Sequence, residues 1–352
     1  MSDLSFYCGK RVFVTGHTGF KGSWLCRVLL NAGAEVTGYS LEPPTEPNLF
    51  SLSGLKGKLT DIRGDIRDFD RLKAAFDEAK PELVFHLAAQ PIVRRSYEEP
   101  RYTFETNVMG TVNLLECIRT AETPPRSFLN VTTDKVYLNT EREVGYREED
   151  PLDGFDPYSN SKSCSELVTH SYARSFLADQ GVAVSTARAG NVIGGGDFAK
   201  DRLIPDCVRA AVAGKPIILR NPRSVRPFQH VLEPVMAYLM IAARQWAEPN
   251  LASWYNVGPE DRDCITVGEL ADLFCAAWGS GARWEDRSEP GAPHEAGLLR
   301  LDCTKLKTVF GWVPRWDIRQ AVERTVEWTL AWQRGEDILA LMDKQIKAFL
   351  EE

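Results

Sequence analysis

No stretch of this chain approaches the roughly 18 consecutive apolar residues that a membrane-spanning helix needs. Residues 1–13 also lack the basic-then-apolar pattern of a secretory leader. The expectation is therefore a cytoplasmic protein with no membrane partner. The eight cysteines are scattered, with no C-x-x-C pair, which excludes a zinc ribbon or a dithiol motif and favours free thiols. Histidine is scarce, with five residues and no ligand spacing. No metal is expected, and His17 and His230 read as structural. There is no basic excess: 42 Lys and Arg face 49 Asp and Glu, for a net charge of −7. That excludes nucleic acid as the general partner but not an anionic small molecule held by a local arginine cluster.

What is present is an ordinary globular composition of 352 residues, 43% hydrophobic and 26% charged, enough for a large core or two lobes. Its most informative segment is residues 12–25, VFVTGHTGFKGSWL. An apolar run ends at Thr15, glycines follow at 16, 19 and 22, and helical periodicity begins at Trp24, Leu25, Val28 and Leu29. A strand that turns on glycines into a helix presents bare N–H groups at the positive end of a helix dipole, which suits a pyrophosphate. The spacing is G-x-x-G-x-x-G, and a second strand signal at 34–40 completes a β-α-β unit. The competing reading is a glycine-rich turn with no ligand.

Strand signals at 11–15, 34–39, 59–64, 83–87, 127–132 and 182–187 alternate with helix signals near 22–32, 68–79, 103–121 and 158–180. This alternation predicts an α/β fold, a Rossmann-type doubly wound parallel sheet. Beyond about residue 188 the periodicity is broken by Gly194–Gly196 and by prolines at 205, 216, 222 and 227. A smaller loop-rich α/β lobe is expected there, the usual seat of substrate specificity. The expected division is 1–187 plus about 228–257 for the dinucleotide, and about 188–227 plus 258–352 for the substrate.

Tyr158 and Lys162 form a Y-x-x-x-K pair whose spacing places both side chains on one helix face. A cation beside a phenol favours phenolate, so the pair predicts a tyrosine base with a lowered pKa. Upstream, the strand signal over 127–132 ends in Thr132, Thr133, Asp134 and Lys135. Polar groups at the carboxyl end of a parallel strand stand where such sheets bind ligands. Arg202, Arg220, Arg223 and Arg226, with Asn191 and Lys200 nearby, form the arginine cluster suited to a diphosphate. Arg226 is the first choice, followed by Arg202, with Arg94 as another candidate. At the end of the second strand, where an acid usually binds the adenosine ribose, stands Ser40, with Glu42 two residues later. No arginine follows immediately.

Together these features resemble the extended branch of the short-chain dehydrogenase/reductase superfamily, the branch of nucleotide-sugar enzymes. The likeness spans nearly the whole chain and is strongest to its 4,6-dehydratases acting on CDP-D-glucose, through TGHTGFKGSWL, HLAAQPIVRRSY, TTDKVY, GGGDFAKDRLIPD and PHEAGLLRLD. The resemblance implies NAD as cofactor. It implies contacts from Gly16, His17, Thr18, Gly19, Phe20, Lys21 and Gly22, from Ser40, and from the adenine pair Asp65 and Ile66. It adds the strand end Leu87, Ala88, Ala89 and Gln90, the central-helix Asn107, and Thr132, Tyr158 and Lys162. The sugar nucleotide is expected against Gln90, Arg94, Thr133, Asn191, Arg202, Leu203, Arg220, Arg226 and His294, with Glu295 also near.

The implied reaction oxidises C4 of the glucose, eliminates water across C5 and C6, and reduces C6, leaving NAD as it began. Tyr158 takes the C4 hydroxyl proton, with Lys162 tuning it. Thr132 or Thr133 bonds the C4 oxygen, and the Thr-Asp-Lys pattern favours Thr133. Asp134 protonates the departing C6 hydroxyl. Lys135 is either the base at C5 or an electrostatic stabiliser of the enolate. The family also implies a homodimer through the helices near 103–121 and 158–180. Two other readings stay open: a dehydratase or epimerase acting on a UDP-, dTDP- or GDP-linked sugar, and a regulator that only binds dinucleotide.

Overall fold

The computed structural model describes residues 4–288 and 297–352. Seven parallel strands form the central sheet: β1 (Arg11–Thr15), β2 (Glu35–Ser40), β3 (Thr60–Arg63), β4 (Leu83–His86), β5 (Ser127–Thr132), β6 (Ala183–Ala189) and β7 (Trp254–Val257). Their order is β7-β6-β5-β4-β1-β2-β3, so the winding reverses between β1 and β4. That reversal opens a crevice at the carboxyl ends of the strands, where sheets of this kind take ligands. β5 and β6 are buried along their whole length, which is why they read as apolar and small residues rather than as an alternation.

The helices used below are α1 (Phe20–Asn31), α2 (Phe69–Ala79), α3 (Gly110–Arg119), α4 (Pro157–Tyr172), α5 (Leu203–Val212), α6 (Leu232–Ala247), α7 (Val267–Trp278), α8 (Ile318–Gln333) and α9 (Ile338–Glu351). One sheet face is covered by α1 and α6, through Trp24, Leu25, Leu29, Val235 and Leu239. The other is covered by α2 and α3, through Leu72, Phe76, Leu114 and Ile118 against Phe13 and Phe128. A third cluster, with Ile204, Phe228, Leu270, Phe274 and Val322, is the core of the smaller lobe.

Three features depart from the sequence reading. The helix expected over 103–121 is broken by a π-helical turn, Glu105–Met109, and the one expected over 158–180 ends in another, Ala173–Leu177. The strand β7 carries no sequence signal because Asn256 interrupts it. In place, Asn256 is satisfied: Tyr137 OH donates to its Oδ1 at 2.6 Å, and its Nδ2 donates to Tyr146 O at 2.8 Å. The C-terminal helix α9, expected with the smaller lobe, instead packs Met342, Ile346 and Phe349 into the core on the α1 face. Arg27 of α1 holds it there by an ion pair to Asp343.

Candidate active site

The glycine loop is built by close approach. Gly16 has φ +79°, and a Cβ there would stand 2.7 Å from Ala88 N; a Cβ at Gly22 would stand 2.2 Å from Gly16 O. Any side chain at either position would push β1, β4 and α1 apart. The N-cap of α1 is Gly19, with no side-chain cap, so the first N–H groups of that helix face the cleft unclaimed. Thr18, Phe20, Lys21, Ser40, Asp65, Ile66, Leu87, Ala88, Ala89 and Gln90 line the same cleft, which has a volume of about 2320 Å³. An uncapped helix start behind a loop too tight for any Cβ is a fitting cradle for a dinucleotide pyrophosphate.

The carboxyl end of β5 supplies the reaction end of the cleft. Thr133 Oγ1 donates to Asp134 Oδ1 at 3.0 Å, and Asn191 Nδ2 donates to Asp134 Oδ2 at 3.2 Å. Asn191 reaches that place from a left-handed backbone, φ 43°. Asp134 is buried, and it lies so close to Gly190 that a Cβ there would fall 1.9 Å from Oδ2. Tyr158 and Lys162 enter from α4, whose start is set by Asp156, accepting from Ser159 N, and by Pro157 in the first turn. Lys135, half-buried in the turn after Asp134, lines the cleft beside them.

The tyrosine is not tuned as its spacing from the lysine suggested. Burial pushes Tyr158 up to about 12, and the groups pulling it back are Thr133 and the charge of Arg202. Lys162 Nζ donates instead to Val131 O at 3.1 Å, and burial lowers the amine to about 8, with Glu166 holding it up. Lys21 stands among these groups: burial first, then Arg202 and Lys162, lower it to about 7, and its Nζ meets Tyr238 OH at 3.3 Å. Arg202 is paired with Asp197 at 3.0 Å, and its charge bears on Tyr158 and Lys21, at the reaction end.

Some expected contacts serve the scaffold. His17 is fully buried beneath the loop, bonded to Asp61 at 2.9 Å and packed against Gly38, where a Cβ would meet its ring at 2.3 Å. Asn107 sits in the first π-helical turn and clamps Gln90, accepting from its N at 2.8 Å and donating to its O at 3.1 Å and to Ser161 Oγ at 2.9 Å. The Gln90 amide is itself engaged with Ile92 and Thr103. Thr132 donates to Glu166, whereas Thr133 donates to Asp134. Arg94, Leu203, Arg220 and Arg226 line the cleft, whereas Arg223 does not; Arg94 faces Asp201 at 3.5 Å, and Arg226 donates to Val225 O at 2.9 Å. His294 and Glu295 lie outside the described residues.

Two groups escaped the sequence reading. Arg63 stands opposite Ser40 in the β2–β3 register, donates to Leu41 O at 3.1 Å and lies 3.7 Å from Glu42, so an arginine does stand beside the end of β2, from the neighbouring strand. Ser40 Oγ is bonded to Thr18 Oγ1 at 2.8 Å. The other group is Glu166 with Arg188, a fully buried ion pair at 3.0 Å directly behind Thr132. Its signal was in reach: Tyr158, Lys162 and Glu166 recur at intervals of four along one helix face.

The sequence profile of the family described as GDP-mannose 4,6 dehydratase matches residues 13–325. A CDP-glucose 4,6-dehydratase of Salmonella typhimurium is 48% identical over 99% of both chains. A dTDP-glucose 4,6-dehydratase of Xanthomonas campestris is 29% identical, covering 92% of this chain and 94% of that one. Among solved structures, MoeE5 in complex with UDP-glucose and NAD superposes with a TM-score of 0.77 and 26% identity, over 92% of this chain and 99% of that one. A dTDP-glucose 4,6-dehydratase of Bacillus anthracis in complex with NAD has a TM-score of 0.77 at 22% identity, over 94% and 99%.

Proposed function

Because this chain belongs to the GDP-mannose 4,6 dehydratase family, we propose that it is a nucleotide-sugar 4,6-dehydratase that works with NAD and acts on CDP-D-glucose. The observation that carries the substrate is the 48% identity to the Salmonella typhimurium CDP-glucose 4,6-dehydratase, which runs the length of both chains. The convergence of Thr133, Asp134 and Tyr158 on one cleft supplies the chemistry.

The cofactor is held by the N–H groups of the glycine loop and the start of α1, with Asp65 and Ile66 at the adenine, Ser40 at its ribose and Lys162 at the nicotinamide ribose. NAD supplies a two-electron acceptor that is restored within each turnover, so retention serves the reaction better than release. Tyr158 takes the proton of the C4 hydroxyl, and Thr133 bonds the same oxygen as it becomes a carbonyl. That carbonyl acidifies the C5 proton. Lys135 removes this proton or offsets the charge of the enolate beside it. Asp134 gives its proton to the C6 hydroxyl oxygen, which leaves as water. The two electrons taken from C4 return as hydride to C6 and C5 regains a proton, so the net change is CDP-D-glucose to CDP-4-dehydro-6-deoxy-D-glucose plus water.

The sheet lobe takes the cofactor and the smaller lobe the sugar nucleotide, with Arg220 and Arg226 at the diphosphate. Two copies pair through the exposed apolar side chains of the α3–α4 face, Met109, Leu167 and Phe176. No described helix is long and apolar enough to cross a membrane, and we place the enzyme in the cytoplasm. The test is separate incubation with CDP-glucose, dTDP-glucose, UDP-GlcNAc and GDP-mannose in the presence of NAD. A keto-sugar chromophore in alkali is expected with CDP-glucose. A chromophore with another sugar nucleotide alone overturns the substrate assignment, and NAD binding without turnover of any of the four overturns the enzyme.

A further inference from the structure

Glu166 is among the most enclosed charges in the molecule, and the reaction outlined above gives it no task. It lies on α4, one turn beyond Lys162 and two beyond Tyr158, with no exposed side-chain surface. Thr132 of β5 donates to its Oε1. Its Oε2 takes Thr186 Oγ1 at 2.6 Å and Arg188 Nη2 at 3.0 Å, both from β6, and meets His170 Nε2 at 3.1 Å from its own helix. Arg188 is equally enclosed and passes the link to Tyr137 OH at 2.8 Å and to Glu148 O at 3.0 Å. A buried ion pair returns little net stability against apolar residues of the same volume. Its position is more telling: it ties α4, which carries Tyr158 and Lys162, to the strand end that carries Thr133 and Asp134.

We propose that Glu166 is a positioning residue for the dehydratase reaction: its carboxylate locks α4, and with it Tyr158 and Lys162, to the end of β5. The proposal rests on the dehydratase reading. The charges around Lys162 support it. The Lys162 amine is bonded to main chain at Val131 O and, among the described residues, has no carboxylate in hydrogen-bonding contact. Of the charged groups that bear on it among the described residues, Lys21 comes from α1 and Glu166, from its own helix, favours its protonation. His86 of β4 also faces it, bonded to Thr15 at 2.7 Å and Thr111 at 3.1 Å and held neutral by burial, with its pKa lowered to about 3. The groups facing Glu166 are Arg188, which offsets its charge, and His170, stacked on Trp254 at 3.5 Å. Glu166, one helical turn away, therefore opposes the loss of charge that burial imposes on Lys162.

The test compares Glu166→Gln, Glu166→Asp and Thr132→Val in the full-length protein, by kcat and KM across pH, by thermal midpoint, and by competitive labelling of Lys162 with an amine reagent. Glu166→Gln is expected to lower kcat at least tenfold with KM for CDP-glucose within about threefold, and to move the Lys162 titration about one unit towards acid. Glu166→Asp, which keeps the charge, restores the titration. Thr132→Val, which cuts only the strand link, lowers kcat and leaves the titration in place; it carries the test of the lock if Glu166→Gln does not fold. A variant set that loses thermal midpoint while kcat, pH profile and labelling stay at wild-type values overturns the proposal and leaves Glu166 a packing residue. Wild-type protein that turns over none of the four sugar nucleotides overturns the dehydratase reading instead, and the labelling arm then judges the charge on Lys162 by itself.

Discussion

At the scale of the residue, the cleft concentrates groups whose charge depends on their surroundings. Tyr158→Phe removes the proton acceptor and Asp134→Asn the proton donor, and each is expected to lower kcat by about 10²–10⁴-fold while leaving NAD binding in place. Single-turnover assays on NAD-loaded protein measure both. Lys135→Glu separates the two roles left to that lysine, since product formed at undiminished rate would show that no lysine chemistry is required. A titration outside the cleft bears on stability. Glu233, 1% exposed, accepts from Arg315 N and Trp316 N through Oε1, and burial raises it to about 7. A carboxyl raised in the folded state stabilises the protonated protein. That contribution, on the order of 3 kcal/mol, is complete below the unfolded value and is lost as pH rises through about 7. Thermal midpoints of wild type should fall between pH 5 and pH 8 more steeply than those of Glu233→Gln. Equal slopes would remove Glu233 from the account.

At the scale of the element, the turn from β1 into α1 is the most constrained part of the chain. A Cβ at Gly22 meets Gly16 O at 2.2 Å, and both atoms are backbone or fixed to it, so no rotamer relieves the contact. Gly22→Ala is expected to abolish NAD binding before it abolishes folding, read by calorimetric titration beside a circular dichroism melt. Full NAD affinity in that variant would mean that the pyrophosphate sits elsewhere. This element was legible in the sequence because glycine spacing and hydrophobic periodicity are local signals. The β7 strand and the two π-helical turns were not. Asn256 is tolerated in a strand only because Tyr137 and Tyr146, over a hundred residues away, take up its amide. The π-helical turns continue a helical pattern without a break that composition reveals.

At the scale of the whole molecule, three exposed apolar side chains bear on assembly. Met109 is 50% exposed, Leu167 52% and Phe176 44%, on two neighbouring segments of one face. The proposed pairing of two copies rests on these side chains. Leu167→Glu is expected to shift the protein from dimer to monomer in sedimentation velocity, with the secondary structure intact. A wild-type protein that sediments as a monomer removes the dimer.

The sequence by itself carried the first six strands of the sheet and the helices between them, the glycine turn after β1, and the proposal of Thr133, Asp134, Tyr158 and Lys162 as a set. Each is carried by residues close together in the chain, where periodicity, glycine spacing and helix geometry act. Only the tertiary structure decided what lies across the sheet. It put Arg63 beside Ser40 through the pairing of two strands, turned Arg202 towards Tyr158, and buried Glu166 with Arg188 behind Thr132. It also withdrew His17 and Asn107 from the cleft. Charge and burial set those roles, and both depend on neighbours that no local pattern brings together. The glycine loop marks the boundary between the two: its spacing predicts a pyrophosphate, but the 2.7 Å between a Cβ on Gly16 and Ala88 N is a property of two strands meeting.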